Sequence, residues 1–165
     1  MSLKLYFIRH GIAEERQPHV LDEQRALTTK GREKTQKVAQ RLQTLGLHFD
    51  DLQTSPLVRA HQTAEILQQQ GLVNAIHISD VLSPEGSCQD WLDWLQTWRK
   101  LGLASLALVG HEPNLSEWAE ILVWGQPRQQ LVLKKAGMIG LLLPEQTNPV
   151  GQSTLFWLTA PKLLL

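Results

Sequence analysis

Short apolar runs alternate along this chain with longer stretches whose apolar residues recur at helical spacing, and few architectures satisfy that alternation. Leu3, Leu5, Tyr6, Phe7 and Ile8 read as a buried strand at the extreme N-terminus. A helix is expected from about Gly31 to Leu45, with Val38, Leu42 and Leu45 on one face, and then a short strand at 51–54. Ser55-Pro56 reads as the next helix start, serine capping and proline first, with Ala60, Ala64 and Leu67 buried and Gly71 as the stop. Ala75 to Ile78 is a strand, and Trp91, Trp94, Leu95 and Trp98 share a helix face at core spacing. Ser105 to Gly110 is a strand, and Glu112-Pro113-Asn114 opens a helix carrying Leu115, Trp118, Ile121 and Leu122. Met138 to Leu143 and Thr154 to Leu158 are strands joined without a helix, hence antiparallel. The expected fold is α/β, a three-layer α/β/α sandwich with a mainly parallel central sheet.

With 165 residues, 42% of them hydrophobic and 19% charged, a single domain over 1–165 is expected. Sixteen basic residues balance sixteen acidic ones, so no bulk attraction to nucleic acid or membrane is expected and any positive field must be local. Cys88 is the one cysteine, no Cys/His cluster has zinc spacing, and neither metal nor cofactor is expected. The longest apolar segment, Ala136 to Leu143, falls short of the ~18 residues of a membrane span. Lys4 runs straight into the first strand without a signal-peptide pattern, so a cytoplasmic location is expected.

Three segments carry chemistry, each at a strand-to-helix junction. Arg9-His10-Gly11 closes the first strand, Arg59 lies in the first turn after Ser55-Pro56, and His111 follows Gly110 at the end of another strand. In a parallel sheet all three reach the same edge, where ligands of open α/β sheets bind. Two arginines, two histidines and two helix N-termini then converge on one point, an arrangement suited to a phosphoryl group. Catalysis on phosphorus needs fixed cations and hydrogen-bond donors aimed at the equatorial oxygens. Arginine offers a planar fork for two oxygens, and a neutral imidazole near its reference pKa of ~6.5 can attack phosphorus. No Walker-type glycine loop is present.

Arg9-His10-Gly11, the run from Ser55 to Ala64 and Gly110-His111 together resemble the histidine phosphatase superfamily, with its phosphoglycerate-mutase-like fold. The run from Arg25 to Gly31, the short length and Thr159-Ala160-Pro161-Lys162 are most similar to small SixA-type phosphohistidine phosphatases. The resemblance implies that His10 accepts the phosphoryl group, that Arg9 and Arg59 clamp its oxygens, and that His111 completes the pocket. Arg25 falls where small members bring a further cation, and Gly11 lets backbone approach the ligand. In many members a carboxylic acid from the loop before the helix that precedes the second histidine protonates the leaving oxygen. Glu85, within Leu82 to Gly86, is the candidate here. SixA-type members often lack that acid, and a physical reason exists. A protonated phosphohistidine expels neutral imidazole, whose conjugate acid has a pKa of ~6.5, whereas an alkyl ester expels a base closer to hydroxide, ~15.7 for water.

The expected activity is a metal-independent phosphatase working through a phosphohistidine intermediate on a phosphorylated protein such as a histidine phosphotransfer domain. A small-molecule phosphomonoesterase using Glu85 is the alternative, and a non-catalytic phospho-ligand module is a third reading that the intact His10 and His111 oppose. His19, His48, His61 and His77 are expected to be structural or exposed, Cys88 buried and inert, and Lys134-Lys135 an exposed pair. Leu163 to Leu165 are expected to pack on the domain.

Overall fold

A computed structural model describes residues 2–165. Six strands, β1 (Leu3–Arg9), β2 (Asp51–Thr54), β3 (Ile76–Ile78), β4 (Ser105–Gly110), β5 (Met138–Leu143) and β6 (Thr154–Thr159), form one sheet in the order β3-β2-β4-β1-β5-β6. The pairs β3-β2, β2-β4 and β4-β1 are parallel, and β1-β5 and β5-β6 are antiparallel. The mainly parallel sheet and the antiparallel closing pair agree with the sequence pattern.

Four helices cover the sheet: α1 (Thr29–Thr44), α2 (Val58–Gln69), α3 (Cys88–Trp98) and α4 (Asn114–Trp124). Strand side chains alternate between faces, and the core divides accordingly. Tyr6, Ile8, Leu52, Ala107 and Val109 pack with Val38, Leu42, Ala60, Ala64 and Leu67 of α1 and α2. Leu5, Phe7, Leu106 and Leu108 pack on the other face with Trp91, Leu95 and Trp98 of α3 and Leu115, Trp118 and Leu122 of α4. Trp91 and Trp98 are core residues and Trp94 is half-buried against them.

Helix starts follow local chemistry. The Thr28 hydroxyl accepts from the Gly31 amide to open α1, two residues before the expected start, and Ser87 does the same for Asp90 in α3. At α2 the expectation is corrected. Helical geometry begins at Val58 with Leu57 at the cap position, and Pro56 lies outside it. Ser55 is still leaving the sheet, its amide bonded to the Val109 carbonyl, and its hydroxyl has other partners. At the C-terminus only Leu164 is buried, while Leu163 and Leu165 are exposed. Among the described residues no helix is long and apolar enough to cross a membrane.

Register places the site. Arg9 lies opposite Gly110 and Thr54 opposite Val109, so β1, β2 and β4 end level with one another. His10, Ser55 and His111 are therefore adjacent residues on one sheet edge.

Candidate active site

The sheet edge brings His10 and His111 together with ring centroids 5.3 Å apart and planes at 54°. Both are buried, as is Arg59, while Arg9 is half-buried. His10 Nδ1 lies 2.7 Å from the Gly11 carbonyl oxygen. A carbonyl only accepts, so Nδ1 carries the ring proton and the lone pair is on Nε2. Burial pushes the His10 pKa down to about 3, against the pull of that hydrogen bond, with the charges of His111, Arg59 and Arg9 adding to the depression. The ring is neutral near pH 7 and its free nitrogen is nucleophilic.

His111 has the complementary arrangement. Its Nε2 is 2.8 Å from Ser55 Oγ. That oxygen already accepts from the Leu57 amide at 3.2 Å, and its own proton has no other acceptor among the described residues. With Nε2 accepting, the His111 proton sits on Nδ1, which is buried and unpartnered. Burial, then the Arg59 charge, push the His111 pKa down to about 4.

Two more orphans lie beside it. Arg9 Nε and Arg59 Nε are buried without partners, although each guanidinium is anchored elsewhere. Arg9 Nη1 donates to the Leu133 carbonyl at 3.0 Å, and Arg59 Nη1 donates to the Asp22 carbonyl at 2.8 Å. Burial lowers both arginine pKa values, while Glu112 and Asp22 respectively favour the charged forms. Buried polar groups in folded proteins are ordinarily paired, so three orphan donors around one neutral imidazole mark a place for an anion.

A model of the histidine phosphatase superfamily (branch 1) matches residues 5–83, which carry the first two of the three segments. The chain belongs to that superfamily. An uncharacterized protein of a Picosynechococcus strain is 49% identical over 164 residues, 99% of each chain. The structure of the protein histidine phosphatase SixA complexed with tungstate is similar at TM-score 0.85 and 24% identity, over 99% of this chain and 100% of that one. A phosphoserine phosphatase of Entamoeba histolytica in complex with phosphoserine is similar at TM-score 0.71 and 16% identity, over 99% and 100%.

Superfamily membership leaves the remaining residues to be read from their surroundings. Gly11 has a packing reason to be glycine, since a Cβ there would lie 2.4 Å from Thr35 Oγ1. Its amide donates to Thr63 Oγ1, which in turn donates to the Arg59 carbonyl, tying the two arginine-bearing segments together. Arg25 donates from Nε to Asp22 Oδ1 at 2.8 Å and from Nη1 to the Glu14 carbonyl at 2.7 Å. Its charge reaches both Arg59 and His111. Glu85 is exposed, and its loop is pinned beside the site because the Asn114 side-chain amide donates to the carbonyls of Ser83, Pro84 and Gly86.

Three acidic residues escape the sequence reading. Asp22 bonds Arg25 and Arg59 at once; burial disfavours its charge, but the Arg25 hydrogen bond and the two arginine charges prevail and hold its carboxyl below the ordinary range. Glu112 influences Arg9, yet both its oxygens are held by the Ser116 amide and hydroxyl. Glu120 on α4 is 1% exposed and accepts from the backbone amides of Arg128, Gln129, Gln130 and Leu131. It anchors the segment that delivers the Leu133 carbonyl to Arg9.

The bland readings hold for the other groups. His19 and His48 are exposed, His61 pairs with Glu65, and His77 pairs with Asp51. Cys88 is half-buried rather than buried, and burial pushes its thiol up to about 11.

Proposed function

We propose that this protein is a phosphatase whose His10 Nε2 takes the phosphoryl group, and that its substrate is phosphohistidine carried by a phosphotransfer signalling protein. The observation that supports the reading best is the trio of orphan donors, Arg9 Nε, Arg59 Nε and His111 Nδ1, around a neutral imidazole whose free nitrogen is Nε2.

In this reading the Nε2 lone pair forms the new N–P bond as the substrate's P–N bond breaks. The substrate imidazole leaves neutral if its distal nitrogen carries a proton, so no enzyme acid is required. His10 becomes a phosphorylated imidazolium, and its Nδ1–H stays on the Gly11 carbonyl, which favours the cation. Water then attacks phosphorus, His10 regains its lone pair, and the water proton leaves on phosphate. Arg9, Arg59 and His111 donate to oxygens whose charge is redistributed in both transition states.

Hydrolysis of small phosphate monoesters with Glu85 as acid is the second reading, favoured by the pinned loop that holds Glu85 near α4. One experiment separates them. In EDTA, release of phosphate from a phosphohistidine phosphotransfer protein is measured beside a panel of small monoesters. Selective release from the protein supports the first reading. Selective turnover of the esters, lost in Glu85→Gln, overturns it in favour of the second.

A further inference from the structure

A second cavity of about 380 Å³ opens beside the phosphoryl site, lined by Arg9, Ile12, Lys34, Lys134, Lys135, Ala160, Pro161 and Lys162. Five of these eight residues are cationic and none is acidic, in a chain whose formal charge is zero. The lysines come from α1, from the segment before β5 and from the C-terminal turn at Pro161–Leu163, so no run in the sequence announces them. None of the four lysines forms an ion pair or side-chain hydrogen bond with the described residues. Like charges gathered without partners repel one another, and the arrangement is costly unless an anion offsets it.

The pocket is continuous with the site through Arg9. The Lys134-Lys135 segment is bonded to the catalytic strand on both sides, Leu133 accepting from Arg9 Nη1 and the Ala136 amide donating to the carbonyls of Arg9 and His10. An anion over these lysines is thus held at a fixed offset from His10.

Resting on the proposed activity, we infer that the Lys34/Lys134/Lys135/Lys162 pocket docks acidic side chains that flank the phosphorylated residue on the protein substrate. The character of the cations favours an acidic protein surface over the second phosphate of a small molecule. Lys134, Lys135 and Lys162 are exposed and Lys34 is half-buried, and no arginine other than Arg9 lines the cavity. A single oxyanion is best held by a rigid buried fork, as at Arg59, whereas mobile hydrated ammonium groups suit several carboxylates spread over a surface.

The test compares wild type with Lys134→Glu/Lys162→Glu. At low salt the variant should show a KM roughly tenfold higher for a phosphohistidine protein with unchanged kcat, and phosphoramidate turnover within twofold of wild type. Wild-type kcat/KM for the protein should fall with NaCl, and the variant should lose most of that dependence. Equal effects on both substrates, or none on either, overturn the docking role. A selective loss on a small bisphosphate, with the protein unaffected, overturns it in favour of a second phosphate subsite. Binding of an unphosphorylated glutamate-rich peptide, followed by fluorescence, reads docking apart from catalysis. Binding to wild type and at least tenfold weaker binding to the variant supports docking even if phosphohistidine proves not to be the substrate; no binding to wild type overturns it.

Discussion

The two ends of the sheet differ in a way that cavity size alone would misjudge. The larger cavity, about 620 Å³, lies at the end where β1 and β4 begin and is lined by Leu3, Trp98, Arg99 and Ala104 among others. Its neighbourhood is satisfied. Asp50 accepts from the amides of Ala104 and Ser105, Arg99 donates to the carbonyls of Pro144 and Thr147, and Trp98 Nε1 donates to Asp51. At the opposite end, where β1, β2 and β4 stop, Arg9 Nε, Arg59 Nε and His111 Nδ1 are buried and unpaired. Thr35 Oγ1, Trp91 Nε1 and Trp157 Nε1 are also buried without partners, so what sets this end apart is that three unpaired groups gather around one imidazole, and such a cluster points to a ligand more reliably than empty volume does.

The largest expected effect of breaking that contrast is at His10. His10→Ala should lower kcat by ~10⁴-fold or more and abolish the acid-labile phosphoenzyme. The fold should persist, because among the described residues the ring hydrogen-bonds only to the adjacent Gly11 carbonyl. Retained turnover would remove the nucleophile from this end of the sheet. Arg59→Ala comes next, at about 3 kcal/mol or on the order of a hundredfold in kcat/KM. Arg59→Lys should recover little, since an ammonium cannot span the Asp22 carbonyl and the phosphoryl oxygens together. Full activity in Arg59→Lys would show that charge alone suffices.

A thermodynamic signature should accompany the kinetic one. Unfolded histidines titrate near 6.5, whereas His10 and His111 in the folded apo protein are pushed down to about 3 and about 4. Between those values the unfolded chain binds more protons, so stability rises with pH through the window. Their contribution is complete above about 6.5 and is lost as pH falls toward 4 and 3. The unfolding free energy from urea titrations should therefore drop by roughly a few kcal/mol between pH 7 and pH 4.5, and His10→Asn with His111→Asn should flatten that slope. An unchanged slope in the double variant would place the titration elsewhere.

How much of this was legible in the sequence depended on distance along the chain. Strand ends and most helix faces were readable because apolar spacing is local, although Leu45, expected on the inner face of α1, caps that helix and is exposed. Arg9, His10, Arg59 and His111 were readable because each lies at or shortly after a strand end. Their partners were not. Ser55 reaches His111 across 56 positions, Thr63 reaches Gly11 across 52, and Asp22 reaches Arg59 across 37. Ser55 reads as a cap because a serine before a proline usually is one, whereas its position on the sheet edge turns the hydroxyl toward His111. Some signals were present. Glu120 lies among the apolar residues of α4, where a carboxylate needs partners, and Asp22 sits three residues before Arg25. The lysine pocket gathers three separate segments and had no sequence signature.

The Ser55 contact sharpens the comparison by a smaller step. Ser55→Ala should cost about tenfold in kcat, the scale of one hydrogen bond that fixes the His111 tautomer, with little change in KM. An unaltered kcat would detach His111 orientation from catalysis.

The smallest effect belongs to the far end, and it decides whether volume carries function there. Gln96 is exposed on α3 and lines the larger cavity, so Gln96→Trp would reduce the space without disturbing a buried hydrogen bond. If orphan donors alone mark the working end, kcat/KM should stay within twofold on both protein and small substrates. A loss beyond tenfold on the protein substrate alone would show that this cavity receives part of the partner, opposite His10, and the contrast between the two ends would fail. A loss on small substrates too would mean that α3 transmits a change through Trp91 and Phe7 to the end of β1, since those rings lie 6.1 Å apart across the core. That outcome would make the cavity a lever on the site rather than a second site, and a matching shift in the His10 and His111 titrations would identify it.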